Sequence, residues 1–190
     1  MPGKSMPAVR SALRSRTRLF VIVLALTPVT ALAQPLRIGR PANPGEIADW
    51  NIDIRPDGTG LPPGSGGVAQ GEQVFQQSCA ACHGAHGEGS AMAPRLVGGI
   101  GSLATAHPVR TVGSYWPYAT TLFDYVRRAM PFNAPESLAS DQVYAVCAYI
   151  LYLNGIAGAD AVLDARALPQ IVMPNQGGFH PVYQPIESHP

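Results

Sequence analysis

The chain has 190 residues, 46% of them hydrophobic and 13% charged, which suits one domain with a real core and excludes a disordered polar chain. Glycine (20) and proline (19) are abundant, so long stretches must run outside regular structure. The formal net charge is +1, but Lys4, Arg10, Arg14, Arg16 and Arg18 share one acid-free leader; without those five, eight basic residues face twelve acidic ones, a net −4. With Arg127 and Arg128 as its only adjacent basic pair, such a chain has no footprint for nucleic acid or an anionic membrane.

Residues 1–33 read as a signal peptide: a basic start, the apolar run LFVIVLALTPV, and ALA before Gln34. The run is shorter than the ~20 apolar residues of a spanning helix. Cleavage after Ala33, export to the periplasm and no membrane insertion afterwards are therefore expected. Residues 34–67 are crowded with proline and glycine and keep neither the helical nor the strand period. They read as an extended N-terminal arm, with Trp50, Ile52, Ile54 and Leu61 apolar enough to lie against the domain or a partner.

VAQGEQVFQQS, residues 68–78, suits a short helix with Val74 and Phe75 turned inward, running straight into Cys79. A second helix is signalled by TTLFDYVRRAMP. Thr121 and Asp124 are spaced like a capping box, Leu122, Tyr125, Val126 and Ala129 share a face, and Arg127 and Arg128 favour the C-terminal end. Pro131 stops it and leaves Met130 in an extended conformation. The third helix is DQVYAVCAYILYLN, capped by Ser140, with Val143, Val146, Cys147, Ile150 and Leu151 at helical spacing and Gly155 as its end. Residues 156–190 form a second irregular, proline-rich arm. No segment shows sustained strand alternation, so the fold class is all-α.

The chemistry lies in CAACHGAHGEG, residues 79–89. A structural zinc site needs four ligands, usually as two pairs. Only Cys147 remains as a further cysteine, and His86, His107, His180 and His189 form no second pair. A redox CxxC expects a strand–CxxC–helix setting, whereas this chain offers helices and loops. Covalent haem accounts for every residue. Two thiols at i and i+3 leave one side of a helical turn and can add to the two vinyl groups of one haem edge, and His83 follows as a proximal ligand. Cys147, on the apolar face of the third helix, is then a buried small hydrophobe.

With CAACH, the helix before it and DQVYAVCAYILYLNG after it, the chain resembles the class I c-type cytochromes over roughly residues 68–155. The resemblance implies a class I cytochrome c fold with extended arms, one covalent haem c on Cys79 and Cys82, and His83 as an axial ligand. It further implies that the first and last helices cross, with Tyr149 packing against Phe75 and Gly71. A sixth ligand sets the function, since a thioether raises the haem potential and favours electron transfer. Met130 in AMPF, 47 residues after His83, stands where the family places a methionine before proline. Met92 lies close to the attachment loop and Met173 beyond the last family helix; His86 or His107 would give a bis-histidine iron. The family also orients its proximal histidine with a proline carbonyl, here that of Pro94. Tyr115, Trp116 and Tyr118 either line the haem and reach its propionates or simply pack in the core.

YWPYATTLFDYVRRAMPF, VYAVCAYILYLNGI and LPQIVMPNQGGF are more particular. They resemble the cytochrome subunits of sulfane dehydrogenase and of sulfite dehydrogenase-type molybdenum enzymes. The implied partners are a molybdopterin sulfur-compound dehydrogenase subunit, as electron donor, and a downstream cytochrome, as acceptor. Some members of that group carry two haems, whereas this chain has one C-x-x-C-H. A haem enzyme acting directly on a sulfur compound or peroxide, and a free-standing shuttle, are the competing readings.

Overall fold

A computed structural model describes residues 38–180; the expected signal peptide and its cleavage site lie outside that range. Residues 38–43 belong to one compact unit and carry no helix or strand; everything below concerns the other unit, which begins at Pro44.

Helix α1 (Pro44–Trp50) falls within the stretch expected to be irregular. Two turns are too few to display an apolar period, although Pro44 at the first helical position, where no amide donor is needed, is an N-terminal signal. The rest of the arm is fastened to the domain. Ile54 and Leu61 pack on the core, Arg128 Nη2 donates to Asp53 Oδ1 at 2.8 Å, and the Tyr144 hydroxyl donates to the Pro62 carbonyl at 2.9 Å.

Strand β1 (Ser65–Gly67) leads directly into α2 (Val68–Ser78), which buries Val68, Gly71, Val74 and Phe75. It is followed by α3 (Ala80–His83), α4 (Val112–Tyr115), α5 (Ala119–Ala129) and α6 (Ser140–Leu153). α6 is the centre of the molecule: every residue from Val143 to Leu151 is buried, so its sequence is apolar on all sides. α2 crosses it at Gly71, where an added Cβ would run into the Ala145 carbonyl and come within 2.8 Å of the Tyr149 Cβ. Next to that contact the Phe75 and Tyr149 rings pack at 5.4 Å between centroids, tilted by 58°. The crossing expected from the family resemblance is therefore present. Phe75, Phe123, Leu151 and Leu168 are fully enclosed, and burying each contributes about 1.5–3 kcal/mol.

Two helix starts differ from expectation. α5 begins at Ala119 with no side-chain cap. Asp124, expected to serve a Thr121 capping box, accepts from Arg128 Nε at 2.8 Å instead, because one further helical turn brings a cation to it. Ser140 is the first residue of α6 and not its cap. Ala139 holds the cap position, and its N–H donates to Gln142 Oε1 at 3.0 Å, a glutamine doing from the third position what a cap side chain does from the first. The end of α6 is as expected. Gly155 has φ +70°, and the Gly155 and Ile156 N–H groups donate to the Tyr152 and Leu151 carbonyls at 2.8 and 2.9 Å, closing the helix in a Schellman turn.

Beyond α6, strand β2 (Val162–Asp164) pairs antiparallel with β1, Gly66 opposite Leu163. Gly66 is needed there, since a Cβ would strike the Ala145 amide of α6. A 3-10 turn at Leu168–Gln170 follows, and Leu163, Leu168 and Met173 are all buried in the common core.

Candidate functional site

α2 delivers Cys79 into the site: its N–H closes the last turn onto the Phe75 carbonyl at 2.8 Å. From there the Cys82 and His83 N–H groups both donate to the Cys79 carbonyl, at 3.1 and 3.0 Å. The two thiols and the imidazole thus sit on a single turn, fixed relative to one another by backbone hydrogen bonds. Gly84, at φ +82°, ends that turn, and the Gly89 N–H returns to the His83 carbonyl at 2.6 Å. Ser90 Oγ donates to the Cys82 carbonyl at 2.5 Å and accepts from the Met92 N–H at 3.0 Å. In the same loop Glu88 accepts from the His86 N–H at 2.7 Å. Backbone hydrogen bonds to it hold the Glu88 carboxyl below its usual range.

The loop then brings Pro94 under the histidine, with His83 Nδ1 3.0 Å from the Pro94 carbonyl oxygen. A carbonyl only accepts, so Nδ1 carries the proton and Nε2 is left with its lone pair for a metal. Burial, with Cys82 adding to it, pushes the Cys79 thiol up to about 11. Reactive or metal-binding thiolates need the opposite shift.

Met130 occupies the position after the last residue of α5, in extended backbone (φ −125°, ψ 144°), with its N–H still bonded to the Val126 carbonyl at 3.0 Å. Like Cys79, Leu96 and Trp116, it is half-buried against the core. The other methionines are placed differently: Met92 is 70% exposed and Met173 is enclosed in the core at 1%. His86 and His107 are both exposed. Tyr115 lies under the Arg110 guanidinium, 5.4 Å from its ring centroid, and edge-on to Phe179 at 5.2 Å. Trp116 meets Tyr125 edge-on at 5.5 Å. Cys147 is fully enclosed and burial raises its thiol, as befits a small core residue.

Several residues that shape the site carried no sequence signal beyond helix punctuation. Asn154 Oδ1 accepts from the Gly98 N–H at 3.1 Å, while its Nδ2 donates to the Leu96 and Ile150 carbonyls at 3.2 and 2.9 Å. It pins the loop after Pro94 to the end of α6. Thr111 and Ser114 cap α4 reciprocally and reach back to the Gly98 and Val109 carbonyls, each at 2.6 Å.

These residues fit a covalently attached haem: two thiols and a tautomer-fixed histidine on one turn, and a thioether half-buried at a helix end. The cytochrome c family model matches residues 68–154. Among solved structures, the chain is similar to one in the crystal structure of the sulfane dehydrogenase SoxCD from Paracoccus pantotrophus. The two are 49% identical, with a TM-score of 0.72, over 77% of this chain and 72% of that one. No curated protein matches. The attachment turn, the α2–α6 crossing and that identity together make the chain a member of the c-type cytochrome family, a haem c protein of electron transfer in a sulfur-oxidation context.

Proposed function

We infer that this protein is a periplasmic monohaem cytochrome that takes electrons from a molybdenum sulfur-compound dehydrogenase of the sulfane or sulfite dehydrogenase type and passes them to a downstream cytochrome. The observation that carries the reading is the 3.0 Å contact between His83 Nδ1 and the Pro94 carbonyl, which holds the imidazole on the attachment turn with only Nε2 available to iron.

In this reading Cys79 and Cys82 would form the two thioether links to a bound haem, and His83 and Met130 would ligate its iron. Bound haem supplies a one-electron iron couple. The chain does the rest. The Pro94 carbonyl holds the His83 proton at Nδ1, and α5 presents Met130 from a helix end, where Pro131 keeps the backbone extended. A thioether in the sixth position raises the potential and excludes substrate. That favours a carrier over an enzyme acting on peroxide or a sulfur compound. Tyr115 and Trp116 stand at the junction of α4 and α5 as candidates for the haem propionates.

The molybdenum partner is supported by the likeness to the sulfane dehydrogenase chain, and periplasmic location by the leader of residues 1–33. No helix among the described residues is long and apolar enough to cross a membrane. With one C-x-x-C-H, the subunit accepts a single electron at a time, so a two-electron oxidation at molybdenum requires it to cycle twice.

The test is optical. The oxidised holoprotein is given sulfite or thiosulfate, and its haem bands are followed with and without periplasmic extract of the native cell. Reduction only with extract supports the electron-accepting subunit. Reduction by the sulfur compound alone overturns it.

A further inference from the structure

Met130 is followed by a weakly held loop. Residues 131–137 are half-buried or exposed, with Phe132 85% exposed. Among the described residues their hydrogen bonds run only within the loop, from the Ala134 N–H to the Pro131 carbonyl and from the Ser137 N–H and hydroxyl to the Ala134 carbonyl. A segment with so few buried contacts opens easily. Met130 is therefore held from the other side, by α5, to which its N–H is bonded at Val126.

Both arms grip α5. At its C-terminal end Arg128, two residues before Met130, donates from Nη2 to Asp53 of the N-terminal arm and from Nε to Asp124 of its own helix, each at 2.8 Å. Just before its N-terminal end, Asn175 of the C-terminal arm donates from Nδ2 to the Tyr115 carbonyl at 2.7 Å, and Phe179 lies edge-on to the Tyr115 ring. The 3-10 turn of the C-terminal arm lies against α5, with Leu168 enclosed in the core that also holds Leu122, Phe123 and Val126. The arms meet each other as well: a Cβ on Gly58 would come within 2.5 Å of Pro169 Cγ. Asp53, Leu168 and Asn175 all lie outside residues 68–154, so this grip is an addition to the cytochrome c domain.

We propose that the two arms form a clamp on α5 that keeps Met130 on the haem iron, with Asp53, Arg128 and Asn175 as positioning residues. The proposal rests on the reading of Met130 as the sixth ligand. Opening of the Met130 segment frees the sixth position. A small ligand that binds only the open form then has an apparent affinity set by the fraction of molecules open. Loosening either end of the clamp raises that fraction.

The probe is imidazole, titrated into the ferric holoprotein and followed in the haem bands. Asp53→Asn removes the arm's charge opposite Arg128, at a side chain 80% exposed, and Asn175→Ala removes the bond to Tyr115. Each is expected to raise the imidazole affinity about two- to fivefold, as the loss of an exposed ion pair or of a single hydrogen bond implies. Gly71→Ala, which strains the α2–α6 crossing instead, is expected to leave the affinity at its native value, because global unfolding is far rarer than local opening. An affinity unchanged in either arm variant, or a rise equally large in Gly71→Ala, overturns the proposal and leaves the cytochrome reading intact. A native ferric protein without the red absorption band of thioether-ligated iron overturns the assignment of Met130, and the clamp with it.

Discussion

In the proposed reading His83 and Met130 hold the haem iron, and Met130 makes the sharper prediction. If Met130 is the sixth ligand proposed above, Met130→Ala removes the thioether that would hold the potential high. The expected outcome is a haem that is still covalently bound, with a lower midpoint potential and loss of reduction by the sulfur-oxidising partner, measured by redox titration and by the extract assay. Retained or increased turnover of a sulfur compound by the variant itself would indicate a haem enzyme. Gly71 tests the packing at the crossing of α2 and α6. Gly71→Ala places a methyl group against the Ala145 carbonyl and the Tyr149 Cβ, and overpacking of this kind costs about 1–3 kcal/mol. A lowered denaturant midpoint with the haem spectrum unchanged is expected.

At the scale of elements, the attachment turn closes through its own backbone hydrogen bonds, but the loop after it depends on long-range contacts. Asn154 joins that loop to α6 through three hydrogen bonds, two of them to groups more than 50 residues away in sequence. Asn154→Ala leaves those loop groups unpaired, at a cost of about 1–3 kcal/mol for each one that water cannot reach. Amide hydrogen exchange over residues 96–99 should speed up, with exchange in α2 little changed. In the sequence Asn154 reads only as the residue before a helix-ending glycine. Its side-chain role is invisible because the partners, Leu96 and Gly98, are remote. Asp124 differs: two local signals competed for it, the cap spacing from Thr121 and Arg128 one turn on, and the second took its carboxylate, while Asp53 adds a long-range partner for the same guanidinium.

For the whole molecule, the arms are part of the fold more than their composition suggests. Tyr144 is fully enclosed, with its hydroxyl donating to Pro62 from the N-terminal arm. Burial, with Asp164 adding to it, pushes its phenol up to about 12. The folded state thus holds a proton that the unfolded chain releases near pH 10. The stability this provides is fully present below pH 10 and is lost as pH rises through about 12. Denaturant midpoints between pH 9 and 12 should fall, and Tyr144→Phe should remove that part of the fall. Likewise, deleting residues 159–180 together with the tail strips Leu163, Leu168 and Met173 from the core. Loss of cooperative thermal unfolding in the truncated holoprotein is expected.

The resemblance to the c-type cytochromes supplied the proline that orients the histidine and the crossing of the two long helices; the sequence by itself determined the attachment turn, the helix end at Met130 and the two helices. Each rests on residues close together in the chain, or on an apolar period that a helix imposes locally. Tertiary structure decided which apolar stretches of the proline-rich arms close over the core and which stay outside, as Ile54 and Leu163 do against the 88% exposed Trp50. It also decided which polar side chains find remote partners, as Arg128 does in Asp53. Burial and hydrogen-bond satisfaction depend on contacts between residues far apart in the chain, and so no local pattern, however regular, could have singled out Asp53.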